Sequence, residues 1–90
     1  SRGGNKVLSE LPNIGKELER RLESVGVHNP GDLSDVGSIG VLKRLDALNT
    51  PGCLNMLYAL EGALRGVRWH SLPREIKDDL KVELKAALEK

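Results

Sequence analysis

The ninety-residue sequence predicts an all-α fold, a compact bundle of about five or six short helices. Three observations carry that prediction. Leucine dominates the apolar set while phenylalanine is absent and β-branched residues are a minority. No stretch alternates apolar and polar residues long enough to make a strand. Apolar residues instead recur at spacings of three and four, the signature of a buried helix face.

The elements follow in order. Lys6 to Glu10 is a short first helix, closed by Pro12, which disfavours the α conformation at Leu11. A second starts near Gly15 and runs to about Ser24, with Ile14, Leu18, Leu22 and Val25 as its stripe and Gly26 as a left-handed cap. Asn29-Pro30-Gly31-Asp32 then combines an N-cap, a proline at the first helical position and an acid in the first turn. This third helix spans about Pro30 to Asp35 and stops at Gly37. Ser38 caps a fourth, with Val41, Leu42, Leu45 and Leu48 facing inward, ending near Asn49. Thr50-Pro51 repeats the cap-and-proline signal and opens a fifth from Gly52 to Arg65, apolar on nearly every side and therefore central. On it, Gly62, Ala63 and Gly66 are small enough to admit a neighbouring backbone. Val67 to Ser71 is a linker whose Trp69 closes the core. Pro73 begins the last helix, where Ile76, Leu80, Leu84 and Leu88 form one stripe and ion pairs such as Asp78 with Lys81 lace the solvated face. The expected core is Leu11, Ile14, Leu18, Leu22, Leu33, Leu42, Leu45, Leu57, Leu60, Leu64 and Trp69.

Composition narrows the chemistry. Residues 1–5 read as a disordered tail and 6–90 as a single domain, since ninety residues do not divide into two cores. No apolar run reaches the roughly eighteen residues that span a bilayer, so a cytoplasmic protein with no membrane partner is expected. The lone Cys53 has no cysteine to pair with and reads as a small buried helix residue. With His28 and His70 it offers no short ligand spacing, so neither metal nor cofactor is expected. No nucleotide loop, paired catalytic carboxylates or activated nucleophile is present, and an enzyme is not expected. Glu61, inside the apolar run of the fifth helix, reads as a carboxylate at the core edge holding an arginine or a backbone amide. His70 reads as a surface residue of the linker.

The informative segment is Leu8 to Val27, LSELPNIGKELERRLESVGV, laid out as a helix-hairpin-helix: short helix, tight Leu-Pro-Asn-Ile-Gly turn, second helix. A turn of this kind aims successive amides outward at the positive end of the following helix, where a phosphate oxygen can bind without any base being read. Gly15 is expected to supply the permissive backbone, and Asn13 stands where the usual pattern has a glycine, Asn being tolerant of the left-handed region. Lys16 and Arg20 flank the turn, while Arg21 points about a hundred degrees away. The candidate nucleic-acid-binding residues are thus Asn13, Ile14, Gly15, Lys16 and Arg20. Such contact is weak. Residues 1–50 hold seven basic residues (Arg2, Lys6, Lys16, Arg20, Arg21, Lys43, Arg44) against seven acidic (Glu10, Glu17, Glu19, Glu23, Asp32, Asp35, Asp46), and affinity scales with the phosphates met by cations. The competing reading of the turn is a scaffold with Ile14 plugged into the core. Gly37-Ser38-Ile39-Gly40 looks like a degenerate second copy.

The order of segments resembles the C-terminal domain of TfoX (Sxy) competence regulators. The resemblance rests on Leu-Pro-Asn-Ile-Gly, LESVGV at Leu22 to Val27, Asp32-Leu33 with Val36-Gly37, and above all LNMLYALEGALRGVRWHSLP from Leu54 to Pro73. It implies a SAM-like helical fold with helix-hairpin-helix geometry and a bacterial, non-enzymatic role in regulating DNA-uptake genes. Full-length members carry an N-terminal domain too, so the chain is expected to be a stand-alone relative or a fragment. The function expected is weak, sequence-independent nucleic-acid contact beside a protein partner. The alternative is a protein-interaction or homodimerisation module that uses the C-terminal leucine stripe or the central helix.

Overall fold

A computed structural model describes residues 7–89, so the Lys6 start of the first expected helix and the tail at 1–5 lie outside the described residues. A 3-10 turn, Leu8–Glu10, leads through a bend into α1 (Lys16–Ser24). There follow α2 (Pro30–Ala47), α3 (Leu54–Arg65), a second 3-10 turn (Trp69–Ser71) and α4 (Arg74–Leu88). No strand occurs among the described residues, and none of their helices is long and apolar enough to cross a membrane. The helix count is slightly below the five or six expected because the third and fourth expected helices run together. Gly37 still breaks the geometry between them, at φ 81° and ψ 162°, and α2 kinks there.

The caps explain where the chain turns. At the start of α2 the Asn29 side chain accepts from the Asp32 amide at 2.8 Å, Asp32 Oδ2 accepts from the His28 amide at 3.0 Å, and Pro30 fills the first helical position. Three helices end alike, in a Schellman arrangement with a left-handed residue just past the end: Gly26 (φ 84°), Asn49 (φ 64°) and Gly66 (φ 75°). The next amides reach back to Leu22 O, Leu45 O and Gly62 O respectively at 2.9–3.0 Å. Thr50 therefore does not open α3 as its cap-and-proline signal suggests. Its amide and hydroxyl both return to Leu45 O, and α3 starts later, with Cys53 as an exposed N-cap and not a buried helix residue.

The core joins Leu8, Ile14, Leu22, Leu33, Val41, Leu42, Leu45, Leu57, Leu60 and Leu80. Helix α2 packs on α3 and α4, and α3 on the second 3-10 turn and α4. Of the expected core, Leu11, Leu18 and Leu64 only pack partly buried on its edge, and Trp69 is half-buried. The solvated face of α4 carries no ion pair among the described residues. The two pairs among the described residues are Glu17 with Arg20 and Glu61 with Arg65.

Gly62 is where a neighbouring backbone comes closest. A Cβ there would lie 2.6 Å from Asn13 Nδ2 and 2.7 Å from Val67 O, contacts that real side chains do not make, and a tight 3.2 Å from Trp69 N. Gly62→Ala is therefore expected to lower stability by about 1–3 kcal/mol in urea denaturation, the range for overpacking a filled site. An unchanged midpoint would show that the contact yields freely.

Candidate functional site

The bend between the first 3-10 turn and α1 is built by short-range rules. Leu11 N–H donates to Leu8 O at 3.0 Å, closing the turn, and Pro12 has no N–H to continue it. Asn13 takes the left-handed conformation at φ 71°. Ile14 then drops into the core, 4% exposed, its amide reaching Leu11 O at 3.4 Å. Gly15 is the N-cap of α1, at φ −94° and ψ −173°, an extended conformation open to any residue. The expectation that Gly15 supplies the permissive backbone is thus corrected: the left-handed residue is Asn13.

Asn13 also does something that its backbone does not reveal. Its side chain turns inward across the molecule, Nδ2 donating to Val67 O at 2.9 Å and Ala59 O at 3.3 Å, while Trp69 N–H donates to Oδ1 at 3.2 Å. The Schellman end of α3 leaves Val67 O free to accept, and Gly62 leaves room for the amide group. All three bonds tie residues more than forty positions apart.

The five candidate residues divide accordingly. The side chains of Asn13 and Ile14 are committed to the interior, so only their main chain faces the bend. Gly15, Lys16 and Arg20 are exposed. The amide of Glu19 is the first of α1 to find a main-chain acceptor, Gly15 O at 2.9 Å. The amides of Lys16 and Glu17 precede it with no acceptor among the described residues, as first-turn groups do. No side chain caps them. A Cβ on Gly15 would meet nothing within 4 Å, so neither conformation nor packing requires a glycine there.

The local charge is mixed. Lys16 stands beside Glu17 and Glu19 in the first turn, where acids favour the helix dipole and disfavour a second anion. Arg20 donates to Glu17 Oε1 at 3.2 Å, both side chains lying in solvent, a pairing weak enough to exchange for a ligand. Arg21 faces away, Nη2 donating to Thr50 O at 2.7 Å.

The Gly37-Ser38-Ile39-Gly40 segment is differently used. Ser38, just past the Gly37 kink, is buried, and its hydroxyl donates to Glu61 Oε1 at 2.8 Å. Arg65 Nε donates to Glu61 Oε2 at 2.8 Å. Glu61 is thus the core-edge carboxylate that holds an arginine, and it brings a negative charge to the start of the second half of α2. Arg44, downstream, donates to Val25 O at 2.8 Å. The start of α1 has no such internal carboxylate among the described residues.

An exposed helix start without a side-chain cap, next to a buried isoleucine, within a compact all-helical module, defines a small helical domain. The family model of the TfoX C-terminal domain matches residues 4–84, and the chain belongs to that family. Two crystal structures from Listeria monocytogenes have the same fold. One, of an uncharacterized protein in a triclinic form, is 45% identical with a TM-score of 0.81, covering 89% of this chain and 91% of that one. The other, of a protein of unknown function in a tetragonal form, is 44% identical with a TM-score of 0.79, covering 88% and 98%. No match is found among curated proteins.

Asn13→Gly separates conformation from clamp, because glycine accepts φ 71° but cannot bond across the molecule. It is expected to lose about 1–3 kcal/mol by thermal or chemical denaturation, as the loss of three part-buried or exposed hydrogen bonds worth about 0.5–1 kcal/mol each gives. Stability equal to the parent would mean that the bend needs only its backbone.

Proposed function

We propose that this domain is a non-enzymatic regulatory module that touches nucleic acid through the phosphate backbone, with the bend and the start of α1 working as a helix-hairpin-helix. The observation that supports this reading is Gly15: an exposed glycine with an ordinary φ, open space where its side chain would be, and amides just after it that have no acceptor among the described residues. A residue that neither fold nor packing needs to be glycine suits a place where something outside the protein comes close. Phosphate oxygens accept from such amides and gain from the positive end of the helix dipole. Lys16 adds a charge at the site, and Arg20 a second once it leaves Glu17. Two cations give weak, sequence-independent binding, consistent with a module that acts beside a partner in competence or transcription regulation in a bacterial cytoplasm.

A second reading, a protein-contact module, has one observation of its own. Leu48 (53% exposed) and Leu54 (40%) stand out around the loop from α2 to α3, beside the exposed Cys53. The leucine stripe of α4 is a poor candidate for self-association, since Leu80 belongs to the core and Leu84 packs on it.

Duplex DNA is expected to bind at low ionic strength with a log–log salt slope of about −2, as two phosphate contacts give. Lys16→Glu removes most of it. Gly15→Asp makes the sharper test: an aspartate N-cap accepts from the free amides itself, leaving stability equal or raised by a few tenths of a kcal/mol while binding is lost. Binding that survives both substitutions contradicts the reading.

A further inference from the structure

The only tryptophan and the only tyrosine of the chain stand together on one side of the molecule. Trp69, on the second 3-10 turn, stacks on the imidazole of His70 with centroids 4.1 Å apart and planes 29° from parallel. On α3, Tyr58 stacks with Trp69 at 6.3 Å and 21°. Lys77, from α4, holds its ammonium 5.2 Å from the Trp69 ring centroid and 5.7 Å from that of Tyr58. Three elements thus bring side chains to one column. Tyr58 and Trp69 are half-buried, whereas His70 is exposed, so the column ends at solvent and does not simply close the core.

The column is also rigidly mounted. Ser71 N–H donates to Arg68 O at 2.9 Å and Leu72 N–H to Trp69 O at 3.1 Å, fixing the 3-10 turn. The bond from Trp69 N–H to Asn13 Oδ1 holds that turn directly against the bend before α1. Through Asn13 the column is tied to the same short segment of chain that exposes Gly15 and Lys16. Cations stand beside the rings: Lys77 lies over both Trp69 and Tyr58, and Arg68 immediately precedes Trp69, although residues 68–79 as a whole balance Arg68, Arg74 and Lys77 against Glu75, Asp78 and Asp79. Cations beside an exposed aromatic stack are the combination by which proteins hold unpaired nucleotides, the charges following the backbone and the ring taking the base. A duplex keeps its bases stacked on one another and has none to offer without unpairing.

We propose that the Tyr58–Trp69–His70 column is a stacking platform for an unpaired base, with the free face of His70 receiving it, and that the preferred ligand is single-stranded nucleic acid. This rests on the reading of the bend as a phosphate contact and specifies which nucleic acid the site takes. Stacking supplies the affinity that two cations alone lack.

The test uses the domain with short oligothymidylate, oligouridylate of the same length, and an equally long DNA duplex. On binding oligothymidylate, the His70 ring protons move upfield under the base's ring current, while those of His28, at the start of α2, stay in place. Trp69 fluorescence changes in the same titration. His70→Ala, at an exposed position, lowers the ratio of single-strand to duplex affinity by about fivefold to a hundredfold, the range for losing one base stack. Oligouridylate, which differs in both the 2′-hydroxyl and the base methyl group, is expected to move the His70 protons in the same direction, because stacking needs only the face of the base. Unmoved His70 protons at saturation, or an unchanged ratio in His70→Ala, overturn the platform, and the bend reading survives that result if Lys16→Glu still weakens duplex binding. Single-strand binding that responds to His70→Ala but not to Lys16→Glu supports the platform and removes the bend. No binding to any of the three overturns both.

Discussion

One side-chain amide holds the bend before α1 in register with the far end of α3. Asn13 joins the bend before α1 to the end of α3 and to the second 3-10 turn through three hydrogen bonds that satisfy both its nitrogen and its oxygen. Several features exist to permit that contact. Gly62 clears the space, the Schellman end at Gly66 turns Val67 O toward the amide, and the left-handed backbone at Asn13 aims the side chain inward. With the side chain turned in and Ile14 plugged beside it, the main chain at Gly15 and Lys16 is left facing out. The scaffold reading and the phosphate reading of the bend are therefore not rivals, because the inward side chains position the outward amides.

The order of helices was legible in the sequence because local rules governed it. Asn29-Pro30 and its acid cap α2 as the spacing indicates, Gly26 ends α1 in the left-handed conformation, and Gly37 breaks α2, whereas Gly66, expected to admit a neighbouring backbone, has open space around it and is instead the left-handed cap of α3. Thr50-Pro51 misled because the same threonine that suits a helix start also serves a helix end, and its hydroxyl went to Leu45 O. Val27, fully buried, lies outside any apolar stripe. It owes its burial to its place as the residue after a left-handed cap, where a hydrophobic contact back to the helix is usual. Leu8 is fully buried for a similar reason, lying in a turn too short to show periodicity.

The candidate site was legible in outline and not in its division of labour. Sequence spacing brings Asn13 to Arg20 to one bend, but it does not say that the Asn13 side chain is used more than forty residues away or that Arg20 is paired with Glu17. Nor does it place Tyr58, Trp69, His70 and Lys77 together, since that cluster draws on three elements whose packing is set by the core and by the Asn13 clamp. The two Gly-containing helix starts differ for an electrostatic reason that spacing also hides. Glu61 brings a carboxylate from α3 to the start of the second half of α2, where it binds the Ser38 hydroxyl, whereas the start of α1 ends in solvent with Lys16 beside it.

The most direct measurement is of the amides themselves. In a 15N-labelled domain titrated with DNA, the largest shifts are expected at Gly15, Lys16 and Glu17, fading along α1 within a turn and disappearing as salt is raised. Shifts gathered instead around Leu48 to Leu54, with residues 15–17 unmoved at saturation, would contradict the account and leave a helical scaffold that meets its partner elsewhere.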